Sequence, residues 1–162
     1  MNKKTRLFWM AILGTAAGIA AGELTIGKAR KKAMHKIEED DRKFHEFYWL
    51  LLQWVHMHNE GRKISTYLKS CGYYTVAIYG MKELGETLLY ELKNSGIEVK
   101  YAIDRNAGDL YAEIDVFHPD EELEAVDAVI VTAVHWFNDI EAEIKQKLDC
   151  PVLSLEDVIY AA

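Results

Sequence analysis

The sequence predicts an α/β fold: a small Rossmann-like parallel sheet in the C-terminal half, preceded by an N-terminal transmembrane helix and a long amphipathic helix. Three observations predict it. From residue 73 onward, short apolar runs alternate with segments of helical period, the pattern of strand–helix–strand units in a parallel sheet. Residues 7–22 form an uncharged run behind Lys3, Lys4 and Arg6. The stretch from Ala33 to Glu60 has neither Pro nor Gly and carries apolar residues at helical spacing. The 162 residues therefore divide into a membrane anchor with a basic juxtamembrane segment (1–32), a helical connector (33–72) and one modest α/β domain (73–162).

Charge divides the same way. Residues 1–43 carry ten Lys/Arg against five Asp/Glu, while residues 44–162 carry nine against twenty-one. An acidic body repels nucleic acid phosphates, and outside the basic end there is no basic stripe with interleaved aromatics, so nucleic acid is not an expected partner.

The apolar run Leu7–Gly22 approaches the roughly 17 to 25 residues of a spanning helix once Leu24, Thr25 and Ile26 are added and Glu23 is placed at the interface. A cleaved signal peptide is the competing reading, because a basic start and small residues ahead of Glu23 fit that pattern too. Gly14, Gly18 and Gly22 recur every four residues, with Ala17 and Ala21 beside them. Such a face lets helix backbones approach closely in lipid, which favours an anchor that pairs into a homo-oligomer. Lys28, Arg30, Lys31 and Lys32 outnumber the basic residues upstream and orient the C-terminal body toward the cytoplasm. The expected location is the cell membrane, single-pass. Cys71 and Cys150 have neither metal-ligand nor redox spacing, and reduced thiols agree with that side of the membrane.

In the connector, Phe44, Phe47, Tyr48, Leu51, Val55 and His58 follow helical spacing, while Trp49, Leu50, Leu52, Trp54 and Met57 make further faces apolar. That is more hydrophobic surface than one contact needs. The α/β domain, a second copy of the chain meeting the helix around Trp49, or the lipid interface has to cover it. His56 and His58 are two apart and point to different sides of a helix, so no metal site is expected. Gly61 ends the helix, and Ile64, Tyr67 and Leu68 mark another helical turn before Gly72.

The domain then reads in order. Thr75–Gly80 is a strand, Glu83–Lys93 a helix through Leu84, Leu88, Leu89 and Leu92, and Ile97–Ile103 an alternating strand ending at Asp104. A short strand is expected at Ile114–Phe117. His118-Pro119-Asp120 should turn into an acidic helix whose Asp120, Glu121, Glu122 and Glu124 form a solvated face. Asp127–Ala133 is apolar enough for a buried parallel strand, Phe137–Leu148 is helical, and Pro151–Ser154 is a last strand. Ser154 and Asp157 then approximate a capping box on a terminal helix.

Between the first strand and its helix, Gly80-Met81-Lys82-Glu83-Leu84-Gly85 occupies the place of a dinucleotide fingerprint, and Asp104 follows 24 residues after Gly80, where a ribose-binding acid belongs. Lys82 replaces the middle glycine. It either blocks a pyrophosphate or supplies a charged contact to phosphate. The loop also approaches a nucleoside-triphosphatase motif, but Glu86 stands where the lysine ahead of Thr87 is required, and a carboxylate there repels phosphate. The alternative for the loop is structural: Gly80 and Gly85 permit a tight turn and close helix packing with nothing bound. Thr132 and His135 lie at the carboxyl end of the apolar strand, the edge where open parallel sheets bind ligands.

The runs "VAIYGMKELGETLLYELKNSGIEVKYAIDRN", "DAVIVTAV" and "PVLSLEDVIY" resemble small membrane-anchored bacterial proteins with a Rossmann-like domain. They are also similar to the nucleotide-sugar-binding domains of bacterial surface-polysaccharide systems, including the N-terminal domain of sugar acetyltransferases. The resemblance implies Gly80, Gly85 and Asp104 as binding positions. The expectation is thus a binding module for a nucleotide, a nucleotide sugar or a protein partner, with no catalysis of its own. An NAD-linked sugar oxidoreductase or epimerase is the first alternative, yet Tyr-x-x-x-Lys and G-x-S-x-G are both absent. A purely structural membrane-associated oligomer is the second.

Overall fold

The computed structural model describes the backbone of residues 3–162 and the side chains of residue 28 and residues 30–162. It forms two compact units, residues 1–47 and 48–162. Helix α1, Lys3–Asn59, runs through both. The proposed anchor and its glycines fall outside the residues whose side chains are described. Among the described residues no helix is long and apolar enough to cross a membrane.

Left-handed glycines end the two helices that precede the sheet. After α1, Gly61 (φ +76°) donates to His58 O and Arg62 N donates to Met57 O. After α2, Ile64–Ser70, Gly72 (φ +83°) donates to Lys69 O and Tyr73 N donates to Leu68 O. Both are Schellman closures, which satisfy the last helical carbonyls while reversing the chain.

Five parallel strands follow: β1 (Thr75–Tyr79), β2 (Glu98–Ile103), β3 (Val116–Phe117), β4 (Ala128–Val131) and β5 (Val152–Ser154), in the order β3-β2-β1-β4-β5. This is the order of a doubly wound sheet. Helices α3 (Glu83–Leu92), α4 (Phe137–Ile144) and α5 (Leu155–Ala161) complete the domain. Strand alternation sorts the core. Ala77, Tyr79, Tyr101, Ile103, Val129 and Val131 pack with Ile140 and Ile144 of α4. Val76 and Ile78 face the other way, and α2 contacts both α3 and α5. Tyr79 pairs with Ile103 and with Val131, so the carboxyl ends of β1, β2 and β4 lie level. At the opposite edge the Asp127 carboxylate accepts the backbone N–H of Tyr74 and of Thr75, which holds its pKa below the usual value.

Three expectations need correction, and one left open is decided. No helix forms after Pro119; the segment reaches β4 through a turn and without regular secondary structure. Four acids in five residues oppose a helix there, and the backbone carbonyls of Glu124 and Ala125 are taken by Tyr101 Oη and Lys100 Nζ of β2. Ser154 makes no side-chain cap bond, being buried as the last residue of β5. The third strand is only two residues long. In α1 the face that packs in the second unit is Leu50, Trp54 and Met57, whereas Phe44, Tyr48 and Val55 of the expected stripe are exposed. Trp54 settles this face: its indole N–H donates to Glu91 Oε2 of α3 at 2.5 Å. Glu91 also lies 3.1 Å from His58 Nε2 and accepts from Ile64 N at 3.2 Å, so one carboxylate ties the end of α1, the start of α2 and α3 together.

Candidate functional site

The candidate site is the carboxyl edge of the sheet where β1 and β4 lie side by side. Connections leave these strands toward opposite faces, opening a crevice between the following loops. The loop after β1 is Gly80, Met81 and Lys82. Gly80 has φ +94°, and a Cβ there would stand 2.7 Å from Thr132 Oγ1. Thr132 donates its hydroxyl to Gly80 O at 2.6 Å and its N–H to Tyr79 O at 2.9 Å, which locks the two strand ends together. Gly85 is tighter still, since a Cβ on it would lie 2.1 Å from Gly80 O. Both glycines are therefore required by packing, whatever the crevice holds.

Asp104 is buried. Its Oδ2 accepts the N–H of Met81 and its Oδ1 that of Asn106, each at 2.9 Å. The acid thus shapes the loop, and each oxygen already holds a backbone amide. Met81 is buried as well and projects beneath the loop toward Gly85. Lys82 is exposed at the N-cap of α3, with no side-chain cap bond, ahead of Glu83 and Glu86 in the first turn. His135 and Trp136 lie in a 3-10 turn just beyond β4, both exposed, their rings edge to face at 5.9 Å. Gly80, Lys82, Asp104, Thr132 and His135 thus stand along one edge of the sheet, as their strand-end positions require. Thr132, like Asp104, is committed to internal bonds.

Two residues at this edge escaped the sequence reading. Arg105 follows Asp104 at the end of β2, and its guanidinium lies 3.1 Å from Glu143 of α4. Tyr79 is buried at the same edge. Burial raises the phenol's pKa, the Glu143 carboxylate raises it further, and Arg105 opposes them. The signal for both was position: Tyr79 is the last residue of β1 and Arg105 stands two residues past β2. Lys82 and Arg105 give the edge two cations suited to a phosphate. Among the described residues no group of three His, Cys, Asp or Glu side chains is placed to hold a metal, and both cysteines are free thiols. No family model, no curated protein and no solved structure matches the chain.

Proposed function

We propose that the chain is a binding module that takes a phosphate-bearing ligand, a nucleotide or a nucleotide sugar, at the carboxyl edge of its sheet, without catalysis of its own. The observation that carries this reading is the strand order β3-β2-β1-β4-β5, which sets the β1 and β4 ends beside each other as a switch-point crevice. Lys82 and Arg105 support it as phosphate contacts. Asp104, holding two backbone amides, makes the phosphate end of the ligand a better match to this edge than its ribose. Residues 1–32 are proposed to anchor the module to the cell membrane with the body on the cytoplasmic side, on the strength of the uncharged run 7–22 and the basic residues after it.

A second reading, an empty structural scaffold, is favoured by the internal engagement of Asp104, Thr132 and Gly85. One experiment separates the two. Full-length protein in detergent micelles is heated with uridine diphosphate, UDP-glucose or NAD. A ligand present at a hundred times its Kd adds about 2.7 kcal/mol, roughly 5 to 10 °C in Tm. Lys82→Ala and Arg105→Ala should each weaken binding about tenfold or more, the worth of one charged hydrogen bond. Absence of any shift at millimolar ligand, in the parent and in Lys82→Gly, with an unchanged circular dichroism spectrum, would leave the scaffold reading in place.

A further inference from the structure

A cavity of about 700 Å³ lies apart from the sheet-edge crevice, wholly within the second unit, where the end of α1, the helix α2 and the turn after α3 come together. Lys82 stands at one end of α3 and Lys93 just past the other, so about 15 Å of helix separates this cavity from the loop after β1. Its charge is unlike that of the body around it. Residues 44–162 hold nine basic residues against twenty-one acidic ones, yet Lys63, Lys69 and Lys93 all line this one cavity, and Glu91 is the single acid that lines it. The Glu91 carboxylate is turned inward and already receives Trp54 Nε1 and Ile64 N. The lysines are only partly engaged. Lys69 Nζ donates to Ser95 O at 2.5 Å, which fixes the ammonium beside the turn and leaves two of its three donors unused. Lys93 meets Glu113, an exposed carboxylate, at 2.7 Å. Lys63 forms no ion pair among the described residues.

We propose that this cavity binds a sugar phosphate, its phosphate among Lys63, Lys69 and Lys93 and its sugar against the hydroxyls of Ser65, Thr66 and Thr87. Three ammonium groups in one cavity match a ligand of more than one negative charge. A phosphomonoester carries close to two at neutral pH. Beyond the cations the lining is mostly hydroxyl and amide, groups that both donate and accept and so suit a ring bearing several hydroxyls. A nucleobase or an acyl chain is a poorer match. No Leu, Ile, Val, Met, Phe or Trp side chain lines the cavity, and its one tyrosine, Tyr90, is exposed. The volume falls within the roughly 300 to 1,000 Å³ of small-molecule sites, which admits a phosphorylated monosaccharide together with water. This site stands independently of the crevice, since it shares no residue with it.

The test is isothermal titration calorimetry of full-length protein in uncharged detergent micelles with glucose 6-phosphate. Binding is expected, with none of glucose, and with inorganic phosphate bound about tenfold more weakly for want of the hydroxyl contacts. Lys63→Ala and Lys69→Ala should each weaken glucose 6-phosphate about tenfold or more, the worth of one charged hydrogen bond. Lys145→Ala, which removes the same charge from α4, should stay within about twofold. Because all three cavity lysines are exposed, the circular dichroism spectrum should not change in any variant. Thr66→Val should weaken glucose 6-phosphate and leave inorganic phosphate as it was. Absence of binding to the parent at millimolar ligand overturns the proposal. So does a loss in Lys82→Ala equal to that in Lys63→Ala, which would put the phosphate in the sheet-edge crevice. Equal affinity for glucose 6-phosphate and inorganic phosphate would leave a site for the ion alone, and tighter binding of dihexanoyl phosphatidic acid would make the cavity a lipid headgroup site; either result overturns the assignment to a sugar phosphate.

Discussion

Asp104 Oδ2 accepts the backbone N–H of Met81 at 2.9 Å, so the acid at the end of β2 closes the loop that follows β1. With Asn106 N on its other oxygen, this carboxylate is a fastening between two neighbouring strand ends. Asp104→Ala should therefore destabilise the protein without any ligand, by about 1 to 3 kcal/mol for each amide left without an acceptor. Asp104→Asn, which keeps one carbonyl oxygen, should lose less. Urea denaturation of the three proteins measures this, and equal stability of Asp104→Ala and the parent would contradict the assignment.

Gly85 supports the same loop from the helix side. A methyl group there would stand 2.1 Å from Gly80 O, a backbone atom that cannot turn aside. Gly85→Ala should cost upward of about 3 kcal/mol, at or beyond the usual penalty for overpacking. Gly108→Ala is the comparison: nothing lies within 4 Å of a Cβ there, and its effect should stay within about 0.5 kcal/mol. Matching thermal midpoints for the two variants would show that the loop yields where this packing says it cannot.

Much of the fold was legible because the parallel strands are buried on both faces and read as apolar runs. Ala128–Val131 is buried throughout, and its bounds fall inside the run expected from sequence. The acidic helix after Pro119 was misread because its fate depends on Lys100 and Tyr101, partners about twenty-four residues away on β2. Which face of α1 packs was left open for a similar reason. Several apolar stripes were available, and the choice fell to Glu91, which receives the Trp54 indole. At the site, position along the strands was readable, since Gly80, Asp104 and Thr132 all lie at strand ends. What each does was not. Whether a carboxylate faces a crevice or a pair of amides depends on the path of the loop, and no spacing encodes that.

Glu91 carries its own test. Its side chain is 10% exposed and receives Trp54 Nε1 and Ile64 N, each bond to a charged acceptor being worth about 1.5 to 3 kcal/mol. Glu91→Ala should lower stability accordingly and shift the emission of Trp54 as its indole loses the carboxylate. The His58 contact is half exposed, so His58→Ala should cost less than about 1 kcal/mol. Chemical denaturation followed by tryptophan fluorescence reads both. Equal losses would mean that the imidazole, and not the two N–H donors, holds α1 to α3.

Tyr101 sets the alkaline limit. Its ring is buried edge to face against Phe117 at 5.5 Å, and its hydroxyl donates to Glu124 O. Burial pushes the phenol up to about 12, with Cys150 and Glu124 adding to the rise. The folded state therefore favours the neutral phenol more than the unfolded chain does, whose tyrosines titrate near about 10. A raised folded pKa contributes stability that is fully present below the unfolded value and is lost as pH climbs through the folded one. Stability should accordingly fall between about pH 10 and pH 12. Tyr101→Phe should lose about 0.5 to 1.5 kcal/mol at neutral pH, from the missing hydrogen bond, and show a shallower decline across that window. Tyr79→Phe provides the contrast, because the Tyr79 hydroxyl makes no close backbone bond of the kind Tyr101 makes, and its removal should cost less at neutral pH than that of Tyr101. Urea midpoints measured from pH 7 to pH 12 compare the three proteins. If Tyr101→Phe tracks the parent through the whole alkaline range, the limit is set elsewhere and the hydroxyl of Tyr101 is not the group that fails.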